Sequence, residues 1–178
     1  MVLAETLAGS VYAAWRNLQP AKIGVGQGWV EGIGVNRRTL TGIPVDPRVG
    51  VLRVDRDDGP RGVLINYTCH PVVLGPDNLL ITADYPGYVV QVVERAFGGG
   101  VMAMFTNGAA GDINTGHSAE LSALGETIPG RTFQRAEQLG IRLAGEVLKV
   151  IETIETDSNT FIAVGTKKIS FPLKPLPS

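Results

Sequence analysis

The strongest constraint on the fold is an apolar, strand-like segment that ends abruptly. Residues 62–68 read GVLINYT and are followed by Cys69, His70 and Pro71. Because proline cannot donate a hydrogen bond to a strand ladder, we predict that the strand stops there. Open α/β sheets place their chemistry where strands end. His70, one of two histidines in the chain, is therefore the first candidate for a functional residue.

A second strand precedes this one. Residues 48–56 alternate apolar and polar side chains, and Asp57-Asp58-Gly59-Pro60 is typical of a turn. We therefore predict an antiparallel hairpin over 48–69.

Periodicity along the rest of the chain predicts an α/β fold, a mixed β-sheet flanked by α-helices. Apolar residues recur at helical spacing in three segments, and Trp15 continues the apolar stripe of the first, so we expect it in the core. The remaining apolar segments predict strands. The predicted helices cover 2–18, 86–97 and 132–154, and the predicted strands are two short ones within 21–35, one over 101–105 and one over 161–171.

Composition excludes several functional classes. The net charge of -1, with both signs mixed along the chain, argues against a nucleic-acid-binding protein. Apolar runs are far shorter than the roughly 18 residues that a transmembrane helix requires. One cysteine excludes an internal disulfide. The compartment stays open, because a cytoplasmic and a secreted protein would look alike.

A polar loop follows the strand predicted at 101–105. Residues 106–117 read TNGAAGDINTGH, and small residues allow a ligand to approach the backbone. A turn-rich connection is the alternative. Since a second strand also opens into a polar segment at His70, we expect Asn107, Asp112 and Asn114 to line a pocket at the sheet edge.

The residue types permit a zinc site without specifying one. The chain contains no HExxH, CxxC or HxH motif, so His70 would need Asp84, Asp112 or His117 as co-ligands. A structural, hydrogen-bonded His70 is the alternative. Asp84 precedes a predicted helix and would equally serve as its N-terminal cap.

Four segments together resemble the neutral/alkaline (non-lysosomal) ceramidase family. They read NLQPAKIGVGQG with GVNRR, VDPRVGVLRVDRDDG with RGVLINYTCHP, LLITADYPGY, and FTNGAAGDINTG. The resemblance implies hydrolysis of an amide by a water that a zinc ion activates. Two histidines, a glutamate and a tyrosine hold the zinc in that family, and the resemblance assigns one of these ligands, His70.

The resemblance also implies roles for other residues. Arg37 matches the active-site arginine of the family, and Asn114 stands where the family has its catalytic serine. We expect Asp112 beside them in the catalytic group. Asn36, Asn107 and Tyr88 would contact the substrate, a lipid or small-molecule amide. Asp84 would orient His70 from behind.

The other zinc ligands of the family lie in motifs that this sequence lacks. We therefore expect residues 1–178 to be an incomplete slice of a larger catalytic domain, inactive alone and prone to self-association, with 172–178 as an extended tail. Two alternatives stay open. The chain could be a non-catalytic binding or structural module on the same scaffold, or a hydrolase of a different small amide.

Overall fold

The computed structural model describes residues 2–38, 44–117, 121 and 123–172. Three helices and six strands follow one another in these ranges. In chain order they are α1 (Val2–Arg16), β1 (Lys22–Trp29), β2 (Val35–Asn36), β3 (Arg48–Arg56), β4 (Gly59–Tyr67), α2 (Asp84–Ala96), β5 (Met102–Asn107), β6 (Ile113–Asn114) and α3 (Phe133–Thr153). No helix in the described part of the chain is long and apolar enough to cross a membrane.

The main sheet has four strands in the order β1-β3-β4-β5. β3 pairs antiparallel with both β1 and β4, whereas β5 runs parallel to β4. A parallel pair needs a long crossover connection, and α2 lies within it. The predicted hairpin and the mixed α/β fold class are thus confirmed.

Helices α2 and α3 cover one face of this sheet. The largest buried side chains come from the strands and from both helices, among them Val49, Ile65, Val89, Leu139 and Leu143. Gly140 permits close contact between the helices, because a Cβ there would lie 2.5 Å from the Cβ of Tyr88. Thr132 starts α3 by accepting a hydrogen bond from the backbone N–H of Arg135 (3.2 Å).

The opposite face of the sheet has an apolar row that no described helix covers. The strand registers place Val25, Leu52, Leu64 and Met104 side by side across all four strands. Val25 is 76% exposed and Met104 is 50% exposed. The described residues therefore form two layers, helices on one side of a sheet.

Helix α1 differs from its prediction. It forms, but none of its residues is buried, and Trp15 is 61% exposed. The apolar stripe was therefore correct as a helix signal and wrong as a core assignment. Periodicity reports that a helix has an apolar face, but not which surface covers that face.

Two strand predictions are also wrong. Residues 161–171 form no strand, although Asp157 makes an isolated bridge to Ile23. Within 21–35 there is one long strand, β1, and only Val35 joins a second, two-residue strand. The tail prediction covers 172–178, and all of it beyond Pro172 lies outside the described residues.

We predict that Leu143→Ala lowers the free energy of unfolding by about 2–5 kcal/mol, because it deletes methyl groups from the packed α3–sheet interface. Urea denaturation measures the loss. Ile141→Ala on the same helix is the matched control, since Ile141 is 52% exposed and its truncation leaves no cavity. Equal losses in the two variants would contradict this packing.

Candidate functional site

Three chain segments meet beside the C-terminal end of β4. β2 pairs antiparallel with β6, with Asn36 opposite Ile113. The backbone N–H of Arg37 donates to the carbonyl of Asp112 (2.9 Å), and that of His70 donates to the carbonyl of Ile113 (3.0 Å). The junction therefore brings Arg37, His70 and Asp112, three predicted site residues, onto one small framework.

The ring of His70 is fixed by the polar loop. Its Nε2 lies 2.9 Å from the carbonyl oxygen of Gly111. A carbonyl oxygen only accepts, so Nε2 carries the proton and Nδ1 keeps its lone pair in the neutral ring. Metal-binding histidines commonly donate their second ring N–H to a backbone carbonyl in this way. The geometry thus leaves Nδ1 of His70 as the atom that could bind a metal.

The peptide that precedes His70 is held by two donors. The Tyr85 hydroxyl donates to the carbonyl of Cys69 (2.6 Å), and the side-chain amide of Asn107, oriented with its nitrogen inward, donates to the same oxygen (2.9 Å). Burial raises the pKa of the Cys69 thiol to about 12, so this cysteine is an inert core residue. Asn107 therefore positions the His70 segment.

Glycine is required where the loop passes β4. The backbone N–H of Gly108 donates to the carbonyl of Tyr67 (2.9 Å). A Cβ on Gly108 would collide with the hydroxyl of Thr68 and lie 3.3 Å from its Cα. The small residues at the start of this loop therefore let it lie directly against the end of β4.

The carboxylate of Asp112 contacts two arginines. Its Oδ1 accepts hydrogen bonds from Nε of Arg38 (2.8 Å) and Nε of Arg37 (3.4 Å). The Arg38 hydrogen bond is the main reason that the pKa of Asp112 lies below its usual value. One carboxylate therefore holds the guanidinium groups of Arg37 and Arg38 close together at the junction.

Asn114 is a loop-building residue in this structure. It is fully buried, its Nδ2 donates to the carbonyl of His117 (3.0 Å), and its Oδ1 accepts from the N–H of Gly116 (2.9 Å). Because both ends of the amide are used, Asn114 acts on the site by shaping the 114–117 turn.

Asp84 braces a loop and the start of α2. Its carboxylate accepts from the backbone N–H groups of Leu74 (3.0 Å) and Tyr85 (2.7 Å), and its φ of 53° lies in the left-handed region. The N-cap of α2 is Ala83 and it has no side-chain cap hydrogen bond, so the prediction of Asp84 as the cap is wrong, and Asp84 is the first helical residue. The His70 ring is oriented by the carbonyl of Gly111 and not by Asp84.

The two remaining predicted contacts lie in different places. Asn36 sits within the junction, where its Oδ1 accepts from the backbone N–H of Arg38 (2.9 Å). Tyr88 lies on α2 opposite Gly140 of α3 and packs against the core. The structure therefore places Asn36 beside the arginines and Tyr88 at the helix–helix interface.

A zinc site is not complete among the described residues. They contain no group of three or more His, Cys, Asp or Glu side chains that could hold a metal ion. His70 fits the role of a single ligand, and the geometry supplies no second or third one. The residues present therefore do not fit zinc on their own.

His117, the other histidine, is buried beside the site. Burial is the main cause that lowers its pKa to about 4, and the positive charges of Arg131 and Arg37 add to the effect, while Asp84 opposes it. His117 is therefore neutral at physiological pH.

The chain is similar in sequence and in fold to known proteins. No family model matches the chain. Neutral ceramidase from Mycobacterium tuberculosis is 24% identical over 159 residues, which cover 78% of this chain and 25% of that protein. The crystal structure of neutral ceramidase from Pseudomonas aeruginosa matches 81% of this chain and 24% of its own, with a TM-score of 0.67 and 21% identity.

The chain has the fold of one part of these ceramidases. A structure described as ceramidase complexed with C2 matches as well, with a TM-score of 0.64, 21% identity, and coverage of 79% of this chain and 23% of its own. The chain thus spans about a quarter of the length of the proteins it matches. The predicted resemblance is supported for the fold.

Sequence reasoning missed Tyr85 and Gly111 as the groups that hold the His70 segment. Tyr85 stands three residues before Tyr88, which was chosen instead. Helical spacing does separate the two, because Tyr85 shares a buried stripe with Val89 and Val93. The Gly111 carbonyl leaves no side-chain signal in the sequence.

We predict that Tyr85→Phe destabilises the protein by about 1–2 kcal/mol, because the buried carbonyl of Cys69 loses its hydroxyl donor while the ring still packs on Phe105. Chemical denaturation measures the change. Tyr12→Phe, at an exposed position of α1, is the control and should leave stability unaltered. An unchanged Tyr85→Phe variant would show that the hydroxyl does not hold this peptide.

We predict that His117→Asn flattens the pH dependence of stability between about 6.5 and 4. The folded-state pKa of His117 lies below its ordinary value of 6.5, so the unfolded chain takes up the proton first as the pH falls. Stability that is present above pH 6.5 is then lost towards pH 4. Thermal unfolding across this range tests it, and parallel curves for the variant and the parent would contradict a buried neutral His117.

Proposed function

We propose that this chain forms part of the active site of an amide hydrolase of the neutral ceramidase type. The observation that carries the proposal is the junction of Arg37, His70 and Asp112, built on a fold that matches neutral ceramidases. The proposed substrate is an N-acyl amide of the ceramide kind. The match covers about a quarter of each relative, so the activity would belong to a longer polypeptide or assembly.

The residues of this chain would bind and orient the substrate. Arg37 is partly exposed and holds Asp112 only at 3.4 Å, whereas Arg38 holds it at 2.8 Å. Arg37 can therefore turn a guanidinium N–H towards a carbonyl oxygen while Arg38 keeps Asp112 in place. Asn36 would contact the substrate from the same strand, while Asn107 and Asn114 would hold the loops that shape the site.

His70 would contribute one zinc ligand, through Nδ1. The described residues do not complete the coordination sphere, and we derive no catalytic step through the metal. The ring geometry supports the assignment, because the hydrogen bond from Nε2 to the Gly111 carbonyl fixes both the tautomer and the direction of Nδ1.

A second candidate is a non-catalytic binding module on the same scaffold. Its support is that Asn114, at the position of the family's serine, is buried and uses both ends of its amide within the loop. An amide cannot do hydroxyl chemistry. This candidate predicts binding of an N-acyl amide without turnover.

We predict that His70→Ala abolishes zinc binding and amide hydrolysis together. Zinc per chain is measured by elemental analysis, and hydrolysis is assayed with an N-acylsphingosine and with short N-acyl amines. The 178-residue chain and the longest polypeptide that contains it are both tested. His117→Asn is the control, because it changes the other histidine and should retain zinc.

Either retained hydrolysis in His70→Ala or loss of zinc in His117→Asn alone would contradict the assignment. Binding of the N-acyl compounds without turnover, in every form of the protein, would favour the non-catalytic module. Turnover of short amides alone would identify a hydrolase of a different small amide.

A further inference from the structure

A polar cavity of about 260 Å³ lies at the start of α3, on the far side of the 114–117 turn. Its lining comprises Val73, Thr115, Gly116, His117 and the segment 128–131 with Arg135. Drug-sized ligand pockets begin near 300 Å³, so this cavity suits a small polar group and excludes a long acyl chain.

Two polar side chains in this lining lack hydrogen-bond partners among the described residues. His117 is only 9% exposed, and its hydrogen bonds all go through its backbone, from Asn114 Nδ2 (3.0 Å) and to Asn114 Oδ1 (3.4 Å). The hydroxyl oxygen of Thr115 is buried without any partner. Buried polar groups are nearly always hydrogen-bonded, so the unpartnered imidazole of His117, which belongs to the cavity lining, indicates that something polar occupies the cavity.

The charges around the cavity favour an anion. α3 is 21 residues long, its N-terminus carries the positive end of the helix dipole, and its first turn contains no acidic residue. Arg131 and Arg135 nevertheless stand at this end, where cations are unfavourable unless an anion is present. Asp84 and Asp77 lie near Arg131, but the Asp84 carboxylate is already occupied by two backbone N–H groups.

The two arginines are suited to different tasks. The Arg131 guanidinium donates to the carbonyls of Val72 (2.9 Å), Val73 (3.1 Å) and Leu74 (2.7 Å), which fixes the cavity wall. Arg135 is exposed and belongs to the cavity lining, and its guanidinium has no partner among the described residues. Arg135 is thus the cation that can reach a ligand directly.

We propose that this cavity binds a small phosphate-type oxyanion, held by Arg135 and the imidazole of His117. The positive end of the α3 dipole adds to the attraction, because Arg135 lies in the first turn of that helix. The phosphate group could belong to a free small molecule or to a lipid headgroup. The proposal does not rest on the hydrolase assignment.

The test is a titration of the 178-residue chain with inorganic phosphate at constant ionic strength, with chloride as the balancing anion. The ring proton signals of the two histidines are followed by NMR. We expect the His117 signal to move and saturate. Arg135→Gln should weaken the binding at least about tenfold, which corresponds to about 1.4 kcal/mol.

Arg142→Gln is the matched control. Arg142 lies two turns further along α3, where its guanidinium approaches the carbonyls of Glu31 (3.5 Å) and Gly32 (3.3 Å), and its loss should leave the phosphate affinity unchanged. A His117 signal that does not move, or equal affinities in Arg135→Gln and the parent chain, would overturn the proposal and leave a cavity filled by water.

The source of the phosphate is settled by two further probes. Glycerol phosphate that shifts the His117 signal in solution supports a free small-molecule ligand. Flotation with phosphatidic acid vesicles, but not with phosphatidylcholine vesicles, supports a headgroup, provided that Arg135→Gln reduces it. Vesicle binding that Arg135→Gln leaves intact would contradict a headgroup in this cavity.

Discussion

The candidate site depends on the attachment of the 111–114 loop to the end of β4. The hydrogen bond from His70 Nε2 to the Gly111 carbonyl and the backbone bond from His70 to Ile113 join these two segments. The same loop accepts a backbone hydrogen bond from Arg37, and its residues 113–114 pair with β2. One loop therefore fixes the histidine ring, the arginine and the carboxylate relative to each other, and the glycine at 108 allows it to lie that close. Tyr85 links the site to the core. Its hydroxyl donates to the carbonyl of the residue before His70, and its ring packs edge-on against Phe105.

The fold also exposes apolar surface, on one face of the sheet and on helix α1. One sheet face is covered by α2 and α3, and the other presents a row that runs from Val25 to Met104 across four strands. Helix α1 likewise exposes its apolar stripe. Sheets with two apolar faces are stable only between two layers. These surfaces agree with the expectation of self-association, which stays a prediction, and they contrast with the small, polar cavity at the start of α3.

Much of the fold could be predicted from the sequence because it follows from local patterns. The hairpin 48–69 was marked by alternation and a turn motif, and α3 by a wide apolar stripe. The errors concern relations that a local pattern does not contain. The stripe of α1 does not say whether anything covers it, and the alternation in 161–171 does not supply a neighbouring strand to pair with. At the site, side-chain types made His70 and Asp112 candidates and the family resemblance added Arg37, but neither pointed to the backbone carbonyls of Gly111 and Cys69 that position His70.

The central claim is that His70 presents a bare Nδ1 to a metal while its Nε2 is bound to the Gly111 carbonyl. Long-range proton–nitrogen NMR spectra of the histidine rings at mildly alkaline pH test this most directly, recorded on the 178-residue chain for the tautomer and on the longest polypeptide that contains it with and without Zn²⁺. The account predicts that His70 is the tautomer protonated at Nε2 and that Zn²⁺ shifts the Nδ1 resonance. Protonation at Nδ1, or a zinc-induced shift confined to Nε2 or to His117, would contradict it.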